Sequence, residues 1–260
     1  MNLFDLRGKT AVITGATKGI GRAIASRMAE HGANIVVSSR KRELCDQVAQ
    51  DINENWATGG SDAAAIPCHI SHKEQLQALV DQTLARFGGI DIVVCNAAVD
   101  PFFGSLRDIP DSAFDRIMET NIRSTHWLCQ MASPHIAARG GGTIIIVSSV
   151  GGLRAGGVLG AHGISKAADM QITRALAVEY GADNIRVNCI APGLIRTDFA
   201  RALWEDEKRL NGVNAKTPLG RIGEPDEIAG TAVMLASAAG SFISGETIVI
   251  DGGVTISSKV

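Results

Sequence analysis

A glycine-rich turn between an apolar run and a helical pattern constrains this chain most strongly. Residues 14–21 have the sequence T-G-A-T-K-G-I-G and directly follow the apolar run Thr10–Ile13. A strand that turns into a helix at glycines presents free backbone N–H groups and the positive end of the helix dipole, which attract a pyrophosphate. Gly15 can adopt the tight turn, Gly19 allows the backbone to approach a phosphate, and Gly21 allows the helix to pack close to the strand. Because the spacing is not the commoner G-x-G-x-x-G, the motif alone leaves an ordinary turn possible.

Short apolar runs alternate with helical patterns along almost the whole chain. The strand candidates are Thr10–Ile13, Asn34–Ser38, Ala63–Cys68, Asp91–Cys95, Thr143–Ser148, Arg186–Ile190 and Thr247–Ile250. The helix candidates are Gly21–Glu30, Arg42–Glu54, Lys73–Phe87, Ser112–Ala138, Ser165–Tyr180 and Asp226–Ala236. Near-continuous Val and Ile runs suit strands buried on both faces. The pattern predicts an α/β fold, a doubly wound, Rossmann-like parallel sheet of about seven strands with helices on both faces.

The same pattern predicts a single domain over residues 1–260, because no linker or shift in composition divides the chain. Its length is sufficient to bury a sizeable core. The least regular stretch, residues 192–219, is predicted to be a mobile lid over the substrate. A span this long without regular structure is usually functional or contains short helices.

Charge and cysteine content argue against several classes of function. The chain has 25 basic and 27 acidic residues and a net charge of −2, so neither nucleic acid nor an anionic membrane is expected as a partner. The five cysteines lie far apart without a C-x-x-C pair, which predicts buried thiols rather than disulfides or a metal site. The chain shows neither a secretory leader nor a membrane-spanning run, and we expect a soluble cytoplasmic protein.

The end of the second predicted strand indicates the cofactor. In dinucleotide-binding folds an acidic residue there binds the adenosine ribose and repels a 2′-phosphate, whereas a basic residue favours the phosphate. Here Ser39, Arg40 and Lys41 follow the strand without a carboxylate, and Lys18 of the glycine-rich turn can approach the same place. These groups favour NADP(H) over NAD(H). The alternative is that Arg40 and Lys41 are solvated loop charges.

Further motifs follow in order. They are Asn96-Ala97-Ala98 after the fourth strand, Asn121 in the long helix, Ser149 after the fifth strand, His162-Gly163-Ile164-Ser165-Lys166 at the next helix, and Asp251-Gly252-Gly253 after the last strand. With residues 14–21, they resemble the short-chain dehydrogenase/reductase family over essentially the whole chain. The segments V-S-S-R-K, N-A-A-V-D-P-F-F-G-S-L and A-P-G-L-I-R-T-D-F resemble its NADP-dependent carbonyl-reductase branch, which is related to peroxisomal retinal reductases. Residues 258–260 are not a peroxisomal address.

One position departs from the family's pattern. In the family a Tyr is the proton donor, and it lies thirteen residues after a Ser and four before a Lys. Counting forward from Ser149 and backward from Lys166 leads to the same residue, His162. The only tyrosine, Tyr180, lies toward the other end of the same predicted helix and cannot substitute for it.

The resemblance implies roles for the remaining residues. Lys166 would hold the nicotinamide ribose, Ser149 would bond the substrate oxygen, and Asn121 would fix a water chain to Lys166. Asn96 to Ala98 would line the adenosine ribose, and residues 192–197 would contact the carboxamide. The catalytic candidates are Asn121, Ser149, His162 and Lys166. The cofactor-binding candidates are Gly15, Thr17, Lys18, Gly19, Ile20, Gly21, Ser39, Arg40, Ile70, Asn96, Ala97, Ala98, Lys166, Pro192, Gly193, Ile195 and Thr197. Taken alone, Lys166 could be a surface lysine, Ser149 a cap and Asn121 a local backbone bonder.

The implied activity is NADP(H)-dependent interconversion of a ketone or aldehyde and an alcohol, which requires a hydride for carbon and a proton for oxygen. Imidazolium is a competent acid near neutral pH, but Lys166 disfavours it and the imidazole ring is shorter than a phenol. Three interpretations of His162 remain open. In the first, His162 is a substitution, natural or introduced, that lowers turnover. In the second, His162 acts as the acid with an altered pH profile, or the substrate needs less proton transfer, as an imine does. In the third, the chain is an NADP-binding pseudoenzyme or scaffold.

Two more expectations concern substrate and assembly. An apolar substrate pocket is predicted from Phe102, Phe103, Val150, Leu153, Leu159, Leu194, Leu203 and Trp204, although each could equally be a core residue. The family resemblance also implies a homotetramer. Apolar positions that look exposed agree with it, namely Met118, Ile122 and Trp127 on the long helix and Phe242, Ile243, Ile248 and Val249 around the last strand.

Overall fold

A seven-stranded parallel sheet forms the centre of the computed structural model, which describes residues 2–258. The strands are β1 (Thr10–Thr14), β2 (Asn34–Ser38), β3 (Ala63–Ala65), β4 (Ile92–Cys95), β5 (Gly142–Val147), β6 (Ile185–Pro192) and β7 (Thr247–Ile250). Their spatial order is β3-β2-β1-β4-β5-β6-β7, and every neighbouring pair is parallel. The predicted single-domain, doubly wound α/β fold is confirmed. The final residues of the C-terminal sequence considered above, 259–260, lie outside the described residues.

Helices cover both faces of the sheet. They are α1 (Gly19–Glu30), α2 (Arg42–Asn55), α3 (Lys73–Phe87), α4 (Asp111–Ile117), α5 (Ser124–Ala138), α6 (Gly160–Tyr180), α7 (Arg201–Trp204), α8 (Glu207–Lys216) and α9 (Pro225–Ala236). Alternate strand residues belong to opposite cores: Ile13 packs with α1, α2 and α9, whereas its neighbour Val12 packs with α3, α5 and α6. This two-sided burial is the reason that the strands carry near-continuous apolar runs.

Three elements differ by several residues from the sequence prediction. The helix predicted over Ser165–Tyr180 begins at Gly160, so that His162 lies in its first turn. The third strand was expected to continue to Cys68 but ends at Ala65, because Pro67 has no N–H to donate to a ladder. The predicted helix Ser112–Ala138 is divided by a π-helical turn over Met118–Arg123. Such a turn inserts extra backbone into the helix and is frequent at functional sites.

The position of the site follows from the strand order. The chain crosses from β1 to β2 and β3 on one side, and then from β4 outward on the other. In sheets of this kind, the crevice for a ligand forms outside the carboxyl ends of the strands at that reversal. Within residues 2–258, no helix combines the length and apolar composition needed to cross a bilayer.

Candidate active site

A cavity of about 1160 Å³ lies at the carboxyl ends of the strands. It brings together most of the residues singled out from the sequence. The lining includes the catalytic candidates Ser149, His162 and Lys166, and the cofactor candidates Gly15, Thr17, Lys18, Gly19, Ile20, Ser39, Arg40, Ile70, Asn96, Ala97, Ala98, Pro192, Gly193, Ile195 and Thr197. Gly21 and Asn121 do not line it.

The glycine-rich turn forms an open cradle at the start of α1. Gly15 and Gly19 have φ angles of +66° and +55°, which L side chains rarely adopt. A Cβ on Gly15 would lie 2.8 Å from the Asn96 amide nitrogen, and one on Gly19 would lie 3.0 Å from Thr197 Cγ2. Lys18 precedes the helix without a side-chain cap, so the first N–H groups of α1 are free for an anion. The geometry therefore fits a dinucleotide pyrophosphate.

Gly21 and Asn96 hold this turn from behind. A Cβ on Gly21 would overlap the carbonyl oxygen of Gly15, so Gly21 allows close packing and does not itself face the cavity. The Asn96 amide donates to the carbonyl oxygens of Thr14, at 3.0 Å, and Gly15, at 3.3 Å. Thr14 Oγ1 in turn accepts from the backbone N–H groups of Asn96 and Ala97. The Asn96 side chain thus fixes the turn, which leaves its backbone to line the cavity.

Basic groups lie at the end of the cavity beside β2. Arg40 is exposed and has no carboxylate partner in the part of the chain that the structure describes. Lys18 was expected to approach the same place, but its Nζ lies 3.9 Å from Asp198 Oδ2 in the 192–219 segment. Ser39 lines the cavity beside Arg40. A guanidinium without a partner is suited to bidentate binding of a phosphate.

Ser149 occupies the turn after β5. Its Oγ accepts a hydrogen bond from the Gly151 N–H at 3.0 Å, so it caps the short helical turn Val150–Gly152. The hydroxyl hydrogen remains available to donate into the cavity. A Cβ on Gly151 would lie 3.4 Å from Ser149 Oγ and 4.0 Å from His162 Cδ2, so both side chains flank this glycine.

Lys166 is buried and paired. Its Nζ donates to the Val147 carbonyl and to Asp169 Oδ2, both at 2.9 Å. The side chains of Lys166 and Asp169 are 7% and 2% exposed. Burial raises the pKa of Asp169, because a carboxylate loses hydration, and the Lys166 ammonium opposes that rise. Two of the three ammonium donors are thus used within the protein, and one remains for a ligand.

Asn121 lies in the π-helical turn, and its amide group bonds to neighbouring residues. Its Oδ1 accepts from the Val99 N–H at 2.9 Å, and its Nδ2 donates to the Val99 carbonyl and to Ser165 Oγ, both at 3.1 Å. Both amide hydrogens are thus used, so the side chain could contact the water chain implied by the resemblance only through the second lone pair of Oδ1. Asn121 instead anchors the loop after β4 to α6.

His162 faces the cavity from the first turn of α6, with a side chain that is 12% exposed. Burial, together with the nearby Lys166 cation, lowers its pKa from 6.5 to about 4. The imidazole is therefore neutral at neutral pH, which disfavours the imidazolium acid considered from the sequence. Tyr180 ends the same helix about 27 Å away along its axis and does not reach the cavity.

Asp100 is the nearest acidic group to His162. The distance from its Oδ2 to His162 Nδ1 is 3.8 Å, and its side chain is 11% exposed. Burial raises the pKa of Asp100, opposed by a backbone hydrogen bond from Phe102. The loop is held against α6 by the Leu159 N–H, which donates to the Gly104 carbonyl at 3.2 Å.

Sequence analysis missed three acidic residues of this region. Asp100 follows β4 at the carboxyl edge of the sheet, and that placement could have revealed it. Asp169 lies three residues after Lys166, the spacing of a helical ion pair. Asp198 has no comparable signal, because its approach to Lys18 depends on the path of the 192–219 segment.

The predicted apolar pocket is largely assembled, with two exceptions. Its members that line the cavity are Phe103, Val150, Leu153, Leu159, Leu194 and Leu203. Phe102 packs over Gly104, and Trp204 lies beneath Arg196 with its Nε1 donating to the Thr197 carbonyl at 2.9 Å. These two aromatic residues therefore do not line the cavity themselves.

Comparison with known proteins identifies the family to which this chain belongs. Residues 15–255 match the family described as Enoyl-(Acyl carrier protein) reductase. A Bos taurus protein named Dehydrogenase/reductase SDR family member 4 is 43% identical over 248 residues, which cover 95% of this chain and 88% of the relative. The chain belongs to the short-chain dehydrogenase/reductase family. It is an oxidoreductase of this family.

Solved structures of family members agree in fold. A gluconate 5-dehydrogenase from Burkholderia cenocepacia, in complex with NADP and tartrate, has a TM-score of 0.93 and 32% identity, with 98% of each chain covered. A 7α-hydroxysteroid dehydrogenase, in complex with NADH and 7-oxo glycochenodeoxycholic acid, has a TM-score of 0.90 and 34% identity, with 96% of each chain covered. Relatives with this fold therefore bind nicotinamide dinucleotides of both kinds.

Proposed function

We propose that the chain is an NADP(H)-dependent oxidoreductase of the carbonyl-reductase branch, interconverting a ketone or aldehyde and an alcohol. The observation that carries this proposal is one cavity that joins an open glycine cradle, the unpaired Arg40 and the pair Ser149 and Lys166. The cradle supports binding of a pyrophosphate and Arg40 supports a 2′-phosphate. An apolar wall beside Ser149 supports a substrate of low polarity.

The residues that would hold the cofactor follow the cavity. The N-terminus of α1 would bind the pyrophosphate, Ser39 and Arg40 the ribose phosphate, and the third donor of Lys166 the nicotinamide ribose. When bound, the reduced nicotinamide supplies two electrons and a hydrogen to the substrate carbon. The free hydroxyl hydrogen of Ser149 would donate to the substrate oxygen and polarise the carbonyl group.

His162 would stand where the family places its tyrosine. A neutral imidazole is a far weaker acid than imidazolium, and its ring does not reach as far as a phenol. Misplacing a catalytic group by about 1 Å costs on the order of 100-fold in rate. We therefore infer that carbonyl reduction is slow while cofactor binding is intact.

Replacing His162 by Tyr tests this inference. For His162→Tyr we expect kcat on a panel of diketones and aromatic ketones to rise about tenfold or more, because a proton donor is restored. The dissociation constant for NADPH should change by less than about twofold, since the cradle is untouched. The matched control is His126→Tyr on the exposed face of α5, which should change neither quantity.

Two results would contradict the proposal. Unchanged or lower ketone turnover in His162→Tyr would refute the role assigned to position 162. If NADPH binds but neither protein reduces any ketone or aldehyde, carbonyl reduction is refuted as the activity of this site.

We also propose a homotetramer. Phe242 and Val249 at the edge strand are exposed in the single chain, at 104% and 39%, and Val178 of the neighbouring α6 is 86% exposed. An uncovered apolar edge favours association with a second copy. The long-helix residues Met118 and Trp127 are half-buried and contribute less. Light scattering at the mass of one chain would contradict this assembly.

A further inference from the structure

Two buried polar atoms in the cavity have no partner. Asp100 Oδ1 and His162 Nδ1 make no hydrogen bond within residues 2–258, although their residues are nine-tenths buried or nearly so. Their side chains face one another, with 3.8 Å between His162 Nδ1 and Asp100 Oδ2. A buried polar atom without a partner is costly, so a group that satisfies both would be bound favourably.

The hydrogen-bonding capacity of these two atoms determines which kind of ligand can bind next to them. An ionised carboxylate only accepts hydrogen bonds, and Nδ1 of a neutral imidazole accepts when the proton is on Nε2. A carbonyl oxygen is also only an acceptor, so it satisfies neither atom. A nitrogen that carries a hydrogen and a positive charge satisfies the Asp100 carboxylate directly, with a charge-assisted bond.

The charges around the reaction centre favour the same ligand. The Lys166 cation is offset by Asp169 at 2.9 Å, and His162 is neutral, so the Asp100 carboxylate is the buried charge left without a counter-ion. Of the other charged residues that line the cavity, Asp251 is half-buried and accepts hydrogen bonds from the Gly253 and Thr255 N–H groups. The rest are exposed to solvent and screened, namely Lys18, Arg40, Arg154, Asp198, Arg221 and Glu227. A negative charge there opposes a developing alkoxide and stabilises a cation.

We propose that this site reduces protonated imines, with the C=N–H⁺ group held by Asp100 beside His162. The proposal rests on the cofactor binding proposed above and names a further substrate class for the same cavity. It also explains how a centre without a phenol can work, because this reaction needs no proton from the protein.

The step balances without a general acid. The substrate carbon receives a hydride, with both electrons of the new C–H bond, and the nicotinamide is oxidised. The C=N π pair moves onto nitrogen and cancels its positive charge, which leaves a neutral amine. The N–H hydrogen stays on nitrogen throughout, so Asp100 and His162 hold it in place and transfer no proton.

A matched pair of substrates tests the preference. We expect NADPH oxidation with 2-methyl-1-pyrroline to show kcat/KM at least about tenfold above that with 2-methylcyclopentanone, which has a similar shape and a C=O group. Asp100→Asn should lower the ratio of the imine value to the ketone value about tenfold or more. Asp108→Asn, an exposed carboxylate of the same loop, is the control and should change neither value.

Binding gives a readout independent of turnover. In calorimetry with the NADP⁺-loaded protein, pyrrolidine, which is protonated at neutral pH, should bind about tenfold more tightly than cyclopentanol, and Asp100→Asn should remove the difference. Asp100→Glu keeps a carboxylate and should retain it in part. Equal affinities for pyrrolidine and cyclopentanol in the wild type, or no effect of Asp100→Asn, would overturn the proposal.

The outcomes separate this inference from the proposed function. If NADPH itself does not bind, the proposed function fails. If NADPH binds and the ketone is reduced as well as the imine, carbonyl reduction stands and only the assignment of imines is overturned.

Discussion

His162 is a titratable side chain that folding removes from water. Burial and Lys166 lower its pKa from 6.5 to about 4. Between these two pH values the unfolded chain holds a proton at this position that the folded chain does not. Stability therefore falls as the pH decreases through that window, and it is unaffected by this group above it.

We expect this effect in unfolding experiments. From about pH 7.5 to pH 5, His162 should contribute a loss on the order of 1–2 kcal/mol to the free energy of unfolding, and His162→Gln should remove that part of the loss. Urea unfolding of both proteins at the two pH values measures it. His126→Gln, at an exposed site, is the control. An identical pH dependence in wild type and His162→Gln would show that the imidazole is not buried in its neutral form.

Some residues of the site could be identified from the sequence, and others could not. Ser149 and Lys166 were singled out through the family resemblance, and both line the cavity, Ser149 after β5 and Lys166 in the second turn of α6. The Asp100–His162 contact was not, since it depends on how the loop after β4 closes over α6. Asn121 was also singled out; the π-helical turn directs its amide toward Val99, and the water-chain role implied by the resemblance stays a prediction.

At the scale of elements, residues 192–219 form the least regular segment of the fold. It contains the short helices α7 and α8, and few contacts hold it to the cradle. Trp204 Nε1 donates to the Thr197 carbonyl at 2.9 Å within the segment, whereas Lys18 and Asp198 join it to the cradle at 3.9 Å with both side chains exposed. We propose that the segment is a lid that closes when the cofactor is bound.

Hydrogen exchange tests the lid. Addition of NADPH should slow amide exchange in residues 192–219 about tenfold or more, because contacts with the cofactor stabilise the closed segment. Peptides from α9, which is packed in the core, should exchange equally slowly with and without NADPH. If NADPH binds while exchange in residues 192–219 stays the same, the segment is not a lid.

Strands and helices with a strong burial pattern were predicted, whereas their interruptions were missed. β2 and β7 have the predicted bounds, because both the apolar run and the flanking turn residues mark them. Pro67 should have shortened the third strand in the prediction, since its missing N–H is visible in the sequence. The π-helical turn at Met118–Arg123 leaves no comparable mark, because its residues have ordinary helical propensities.

At the scale of the whole molecule, the sheet order explains why distant motifs form one site. The turn after β1, the loop after β4 and the start of α6 are far apart in sequence, yet all open on the carboxyl edge of the sheet. The fold class was predictable because alternating patterns and right-handed crossovers admit few topologies. The proposed preference for a 2′-phosphate depends on a single side chain, Arg40, whose guanidinium has no carboxylate partner within residues 2–258.

Calorimetric titration with NADPH and NADH tests the central claim most directly. We expect NADPH to bind at least about tenfold more tightly than NADH, and Arg40→Asp to abolish that preference by repelling the 2′-phosphate. Lys41→Asp is the control, because Lys41 is exposed outside the cavity and should leave the preference largely intact. Absence of any heat with NADPH at millimolar concentration, or equal losses for both nucleotides in Arg40→Asp, would contradict the claim.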